Sequence, residues 1–96
     1  MKGVVNIVEI KKIASAGTME SSDVYVEIEP AAEGISIQLE SVVFHQFGEE
    51  IRRVVREVLA ECGVEHADVR VVDRGALECV IRARVETAVL RGKGEA

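Results

Sequence analysis

The chain is poor in aromatic residues. Tyr25, Phe44 and Phe47 are the only Phe or Tyr residues among its 96, and Trp is absent. That is too few for a base-stacking platform. A net charge of -5 also opposes the phosphate neutralisation on which non-specific nucleic-acid binding rests. No apolar run approaches the roughly 18 to 20 residues of a membrane span. Lys2 near the start is not followed by an apolar stretch and a small-residue cleavage site, so no secretory signal is read and a cytoplasmic location is expected. The two cysteines, Cys62 and Cys79, are then expected to be reduced thiols. Pro30 is the single proline, and no linker, low-complexity tract or internal repeat divides the chain.

What is there suits a folded protein. Hydrophobic residues make up 48% and charged residues 30%, which excludes a disordered chain. The length fits one domain with one core. The charge is uneven: residues 1–41 hold three basic and seven acidic groups, and residues 42–96 hold nine and ten. Asp23, Glu27 and Glu29 recur at the wet positions of one predicted strand, either as a solvated face or as a docking rim for basic partners.

Periodicity predicts the elements. Phe44, Phe47, Ile51, Val54, Val55, Val58, Leu59 and Cys62 recur at three- and four-residue steps, which reads as a helix from about Ser41 to Cys62. Ser41 is its predicted N-cap, and Gly63 its stop. Gly48 falls inside that span, where it costs about 1 kcal/mol relative to Ala, and is read as a point of close approach. Glu49 and Glu57 each lie four residues from Arg53 on the wet face. Before the helix, Val24, Val26 and Ile28 alternate with polar residues, as do Ile35, Ile37 and Leu39. Pro30 and Gly34 bracket the loop between them, so these two strands are read as an antiparallel hairpin. Val69 and Val71 begin a third strand, followed by the turn Asp73-Arg74-Gly75-Ala76.

The segment 77–90 supports two periods. Leu77, Cys79, Ile81, Ala83 and Val85 alternate as in a strand, while Leu77, Ile81, Val85 and Ala88 step as in a helix. The preferred reading is strand to about Val85, then a short helical tail. The expected fold is α+β, in the order β-β-α-β-β: an antiparallel sheet with one long helix across a face. Residues 1–10 read as an extra strand or a leader, and residues 91–96 as a frayed tail.

Chemical motifs are sparse. Cys62 and His66 are four apart, but zinc sites want a second close pair, and none is present. The plainer reading has Cys62 and Cys79 facing the core and both histidines exposed. No G-x-S-x-G elbow supports a nucleophilic serine, and the glycine-poor stretch around Gly17 lacks the second Gly and the Lys of a phosphate-cradling loop. The informative segment is Ala14 to Asp23, small and polar, which is expected to form an exposed, mobile loop.

Three blocks in order carry a resemblance: Ala16-Gly17-Thr18-Met19-Glu20-Ser21-Ser22-Asp23-Val24, then Gln46-Phe47-Gly48 with Ile51-Arg52, and then Asp73-Arg74-Gly75-Ala76-Leu77-Glu78-Cys79 with Ile81 to Glu86. In these blocks the chain resembles the acyl carrier (gamma) subunits of citrate lyase, from about Val8 onward. Those proteins tend to open near Val-Glu-Ile-Lys-Lys, here Val8 to Lys12, so residues 1–7 look like an extension. The resemblance implies that residues 1–96 form a single acyl-carrier domain without catalytic residues or a metal of its own. It implies a phosphoribosyl-dephospho-CoA arm, 2'-(5''-phosphoribosyl)-3'-dephospho-CoA, joined to serine by a phosphodiester. Carried over, that serine is Ser21, with Ser22 adjacent. The implied partners are a transferase that attaches the arm, an alpha subunit that exchanges acetyl for citryl on it, and a beta subunit that cleaves the citryl thioester. Nucleic acid and membrane are not among the expected partners. Two other readings stand beside this one: the carrier of malonate decarboxylase, and a small α+β binding or regulatory module with no covalent group.

Overall fold

The computed structural model describes residues 6–42 and 47–94. Four strands form one sheet: β1 (Ala14–Gly17), β2 (Val24–Glu29), β3 (Ile35–Ser41) and β4 (Ala67–Asp73), in the spatial order β1-β2-β4-β3. Two helices, α1 (Gly48–Glu61) and α2 (Glu78–Gly92), pack together, α2 across β1 and β2 and α1 toward β3. The class is α+β, as expected from sequence.

Alternation places the core. Val24, Val26 and Ile28 of β2 align with Asp73, Val71 and Val69 of β4, and all six are buried. The five aliphatic ones meet Ile51, Val54, Val55, Val58 and Leu59 of α1 and Ile81, Val85, Ala88 and Val89 of α2 in a single cluster. Each such aliphatic side chain removed from water contributes about 1.5 to 3 kcal/mol. On the opposite face of the sheet, Glu27 lies across from Arg70, at 3.6 Å, and Glu29 across from Asp68. That face meets solvent, as mixed and antiparallel sheets allow.

The sheet is mixed rather than antiparallel. β2 and β3 run in opposite directions but do not pair, because β4 inserts between them, antiparallel to β2 and parallel to β3. The expected hairpin is therefore split. The reason is the crossover: α1 carries the chain from the end of β3 back to the start of β4, which the dozen or more residues of a parallel connection permit. Short-range alternation reports which face of a strand is dry and says nothing of which strand lies next to it.

The second correction is at the C-terminus. Residues 78–92 form a full helix, not a strand with a short tail. Ile81, Val85, Ala88, Val89 and Gly92 are its buried side. Leu77, Cys79 and Ala83, which a strand would have buried, are exposed. Gly92 is the close-approach glycine. A Cβ there would lie 3.1 Å from Ile28 Cγ2 and 3.3 Å from Ile10 Cγ2, and its carbonyl accepts from the amides of Lys11 and Lys12 at 2.9 and 3.1 Å.

The third correction is at α1. Ser41 is not its N-cap: Ser41 ends β3, and its hydroxyl donates to Asp73 Oδ2 at 2.8 Å. The helix begins at Gly48 after Phe47, which makes no side-chain cap. Gly48 is thus terminal, and a Cβ there would meet only ordinary contact with Leu39, at 3.8 Å. The predicted stripe is buried from Ile51 to Leu59, and Gly63 stops the helix at φ +82°. Arg53 bonds Glu57 as expected, and Glu50 rather than Glu49. Phe44 and His45 lie outside the described residues, as do residues 1–5, 95 and 96.

Residues 6–13 form no strand. Val8 makes an isolated bridge to Val64, with its amide donating to the Gly63 carbonyl at 2.8 Å, and Ile10 is buried in the core. Cys62 is half-buried and packs against the core as expected, whereas Cys79 is exposed, and both are free thiols. Burial pushes the Cys62 thiol up from its ordinary value, with Glu86 and Glu61 adding to the shift.

Candidate functional site

The expected loop 14–23 is shorter than its sequence suggests. Ala14–Gly17 is an edge strand paired with β2, which leaves residues 18–23 as the connection. Gly17 makes the corner possible. It sits at φ +91°, and a Cβ there would lie 1.9 Å from the Val24 carbonyl oxygen and 3.2 Å from Arg84 Cδ. The chain then turns at residues 20–23, where the Asp23 amide donates to the Glu20 carbonyl at 3.1 Å. Ser22 takes φ +67°, as the third residue of a type II turn requires. Ser21 precedes it at the corner, and both serines are exposed.

The loop is braced rather than loose. Asp23 Oδ2 accepts from the Thr18 amide at 3.1 Å and the Thr18 hydroxyl at 2.7 Å. Its Oδ1 accepts from the Val24 amide at 2.7 Å. From α2, Arg84 donates through Nε to Oδ1 at 3.1 Å and through Nη2 to Oδ2 at 3.2 Å, a two-pronged charged contact. Thr18 Oγ1 in turn accepts from the Glu20 amide at 3.1 Å. On the other side, the Ser22 amide donates to the Arg74 carbonyl at 2.8 Å, and the Arg74 amide to the Asp23 carbonyl at 2.9 Å. The Thr18 hydroxyl and the Val24 amide, with Arg84 behind them, hold the Asp23 carboxyl down at about 2 against the cost of its burial. Asp23 is therefore a brace and not part of an outward acidic rim. Glu27 stays on the solvent face, beside Arg70.

A second carboxylate supports the same end of the sheet. Asp73 is 1% exposed. It accepts from the Ser41 hydroxyl and, at 3.0 Å, from the Ala76 amide, which fixes the predicted turn before α2. That turn is what brings Arg74 alongside Ser22. Sequence reasoning singled out Ser21 and Ser22 but missed Thr18, Arg74 and Arg84. Arg84 became legible only with residues 78–92 in a helix, since a strand would have turned it to solvent beside Arg82. Among the described residues, no group of three or more His, Cys, Asp or Glu is arranged to hold a metal ion. His66 is exposed, and its Nδ1 accepts from the Gly34 amide at 2.7 Å. No helix among the described residues is long and apolar enough to cross a membrane.

The geometry is that of a small α+β domain with two exposed serines on a braced turn. The family described as "ACP: Malonate decarboxylase delta subunit (MdcD)" matches residues 11–92. The fold is shared with a chain of a Pseudomonas malonate decarboxylase hetero-tetramer, at a TM-score of 0.75 and 21% identity, covering 92% of this chain and 91% of that one. Sequence relatives are more specific. A citrate lyase acyl carrier protein of Escherichia fergusonii is 61% identical over 84 residues, covering 86% of this chain and 87% of its own. One of Haemophilus influenzae is 51% identical over 87 residues, covering 91% and 90%. The chain belongs to the citrate lyase acyl carrier protein family.

Proposed function

We propose that this chain works as the carrier subunit of a cytoplasmic citrate lyase, with a phosphoribosyl-dephospho-CoA arm joined through a phosphodiester to Ser21. The observation that carries the reading is the Ser21 hydroxyl itself. It is exposed at the corner of a turn and makes no hydrogen bond among the described residues, while the backbone on either side of it is bonded. A phosphodiester needs an oxygen that is free and can enter another protein's cleft, and this one fits. The Ser22 hydroxyl is also exposed and unbonded among the described residues, but the left-handed backbone of Ser22 and its amide bond to Arg74 commit that residue to the frame of the turn. When attached, the arm supplies a thiol for a thioester-linked acyl group. The chain's own residues supply the anchor, its direction and its rigidity. Tethering makes delivery to successive active sites intramolecular, with effective concentrations of about millimolar. In this reading the chain is a carrier and not a catalyst, and its partners are the acyl-transferring alpha subunit, the citryl-cleaving beta subunit and the attaching transferase.

The test is labelling by the attaching transferase, read by intact mass and peptide mapping. Ser21→Ala is expected to abolish attachment, and Ser22→Ala to leave it largely intact. Labelling of Ser21→Ala at the wild-type rate refutes the assignment. The malonate decarboxylase alternative separates by which subunits co-purify with the chain from its host.

A further inference from the structure

We propose that Thr18, Asp23 and Arg84 are positioning residues for the modification of Ser21, holding residues 18–23 in the one conformation that the attaching transferase accepts. This inference rests on the Ser21 assignment. Its ground is where the bonds of the loop go. Two antiparallel strands can be closed by a two-residue turn. Here six residues intervene, and Thr18 through Ser22 are all exposed and bury nothing in the core. The Asp23 carboxylate nevertheless joins the first residue of the loop to its last, and Arg84 bolts that junction to α2. The Thr18 hydroxyl is used twice, donating to Asp23 and accepting from Glu20. A network that covers no apolar surface and fixes an exposed corner shapes the corner rather than the core. Among the described residues the network bonds the backbone of Glu20 and Ser22 on either side of Ser21 and leaves the Ser21 hydroxyl itself unbonded.

The chemistry gives that shape a use. In attachment, an O–P bond forms from Ser21 Oγ to the phosphorus of a phosphoric-anhydride donor. The bond from that phosphorus to its phosphate leaving group breaks, and the hydroxyl proton passes to a base of the transferase. The oxygen must arrive in line at about 3 to 3.5 Å. A loop that samples many conformations lowers the competent fraction, and apparent affinity falls by that fraction.

The test compares the full chain with Thr18→Val, Thr18→Ser, Arg84→Met and Ser21→Ala, measuring kcat and KM of attachment together with thermal midpoints. Thr18→Val keeps the shape of an exposed side chain and removes both of its hydroxyl bonds. It is expected to raise KM roughly tenfold with kcat within about twofold, and Arg84→Met is expected to do the same. Thr18→Ser should restore the wild-type KM, and amide exchange at Ser21 and Ser22 should quicken in Thr18→Val, with the thermal midpoint lowered by the lost bond to the Asp23 carboxylate but the chain fully folded at the assay temperature. Wild-type KM in both Thr18→Val and Arg84→Met, with Ser21→Ala unlabelled, overturns the positioning role alone. Wild-type labelling of Ser21→Ala overturns the underlying assignment.

Discussion

The loops at the two ends of β2 make a natural pair. Residues 18–23 and residues 30–34 are both short, and each combines small residues with acidic ones. Composition gives no reason to treat them differently. In the fold, the 30–34 loop is tied through Gly34, whose amide meets His66 and whose carbonyl accepts from the Ala67 amide at 3.0 Å. It redirects the chain from β2 to β3 over the start of β4. The 18–23 loop closes on a carboxylate that is itself gripped by a residue 61 positions away. A connector needs only its ends fixed, whereas a corner that presents one hydroxyl to another protein, as the proposed function has it, needs its interior fixed too.

Substitution of the glycine at one end of each loop, Gly17 before residue 18 and Gly34 at the close of 30–34, breaks the comparison most sharply. In Gly17→Ala the new Cβ would collide with the Val24 backbone at a positive φ. The corner must then rebuild, and a loss of more than about 3 kcal/mol is expected in urea melts. Gly34→Ala meets open space at φ +78°, so only the left-handed backbone is penalised, at about 1 to 2 kcal/mol. Equal losses at the two positions would mean that the loops are built alike. The core supplies the scale: Ile51→Ala should cost about 2 to 4 kcal/mol, and Val55→Ala less because fewer methyl groups are lost. A loss below about half a kcal/mol at Ile51 would mean that α1 buries a different face.

Much of this fold could be read in advance, for a physical reason that also marks the limit. Burial leaves a period in the sequence, so the dry faces of β2, β3, β4 and α1 were legible from Val24, Ile35, Val69 and Ile51 onward. Pairing leaves none, and nothing in residues 24–41 says that β4 will enter between two strands joined by five residues. The 77–90 segment failed because its first apolar residues fit both periods. Leu77 and Cys79 kept the strand pattern alive yet are exposed, whereas Val89 and Gly92, the far end of the helical stripe, discriminate. Ser21 came from a resemblance carried by its neighbours, not from its own chemistry. The brace around it joins residues far apart in sequence, and no local pattern announces the meeting of Asp23 with Arg84.

Acid should sharpen the contrast between the two loops. The Asp23 carboxyl lies near 2 in the fold against an ordinary 3.8. Its folded-state value is lowered, so its contribution is fully present above the ordinary value and is lost as pH falls from about 4 toward 2. The wild-type chain is expected to lose stability through that window. Asp23→Asn should be less stable at neutral pH and show a flatter response between those limits. Parallel curves for the two proteins, measured by urea melts across that range, would mean that the charge of Asp23 contributes nothing to the brace.

The smallest effect belongs to the other loop. His66→Ala removes the acceptor for the Gly34 amide. The group is exposed, so water can replace the ring nitrogen, and the expected loss is about 0.5 to 1 kcal/mol. Attachment at Ser21 should keep its wild-type kcat and KM, because the change lies at the far end of β2, roughly 20 Å away at about 3.3 Å per residue. Urea melts and attachment kinetics on the same preparation decide it. A loss above about 2 kcal/mol would make the 30–34 loop a structural anchor rather than a connector. A changed KM with unchanged stability would mean that the transferase reads both ends of β2, and the division of labour between the two loops would fall.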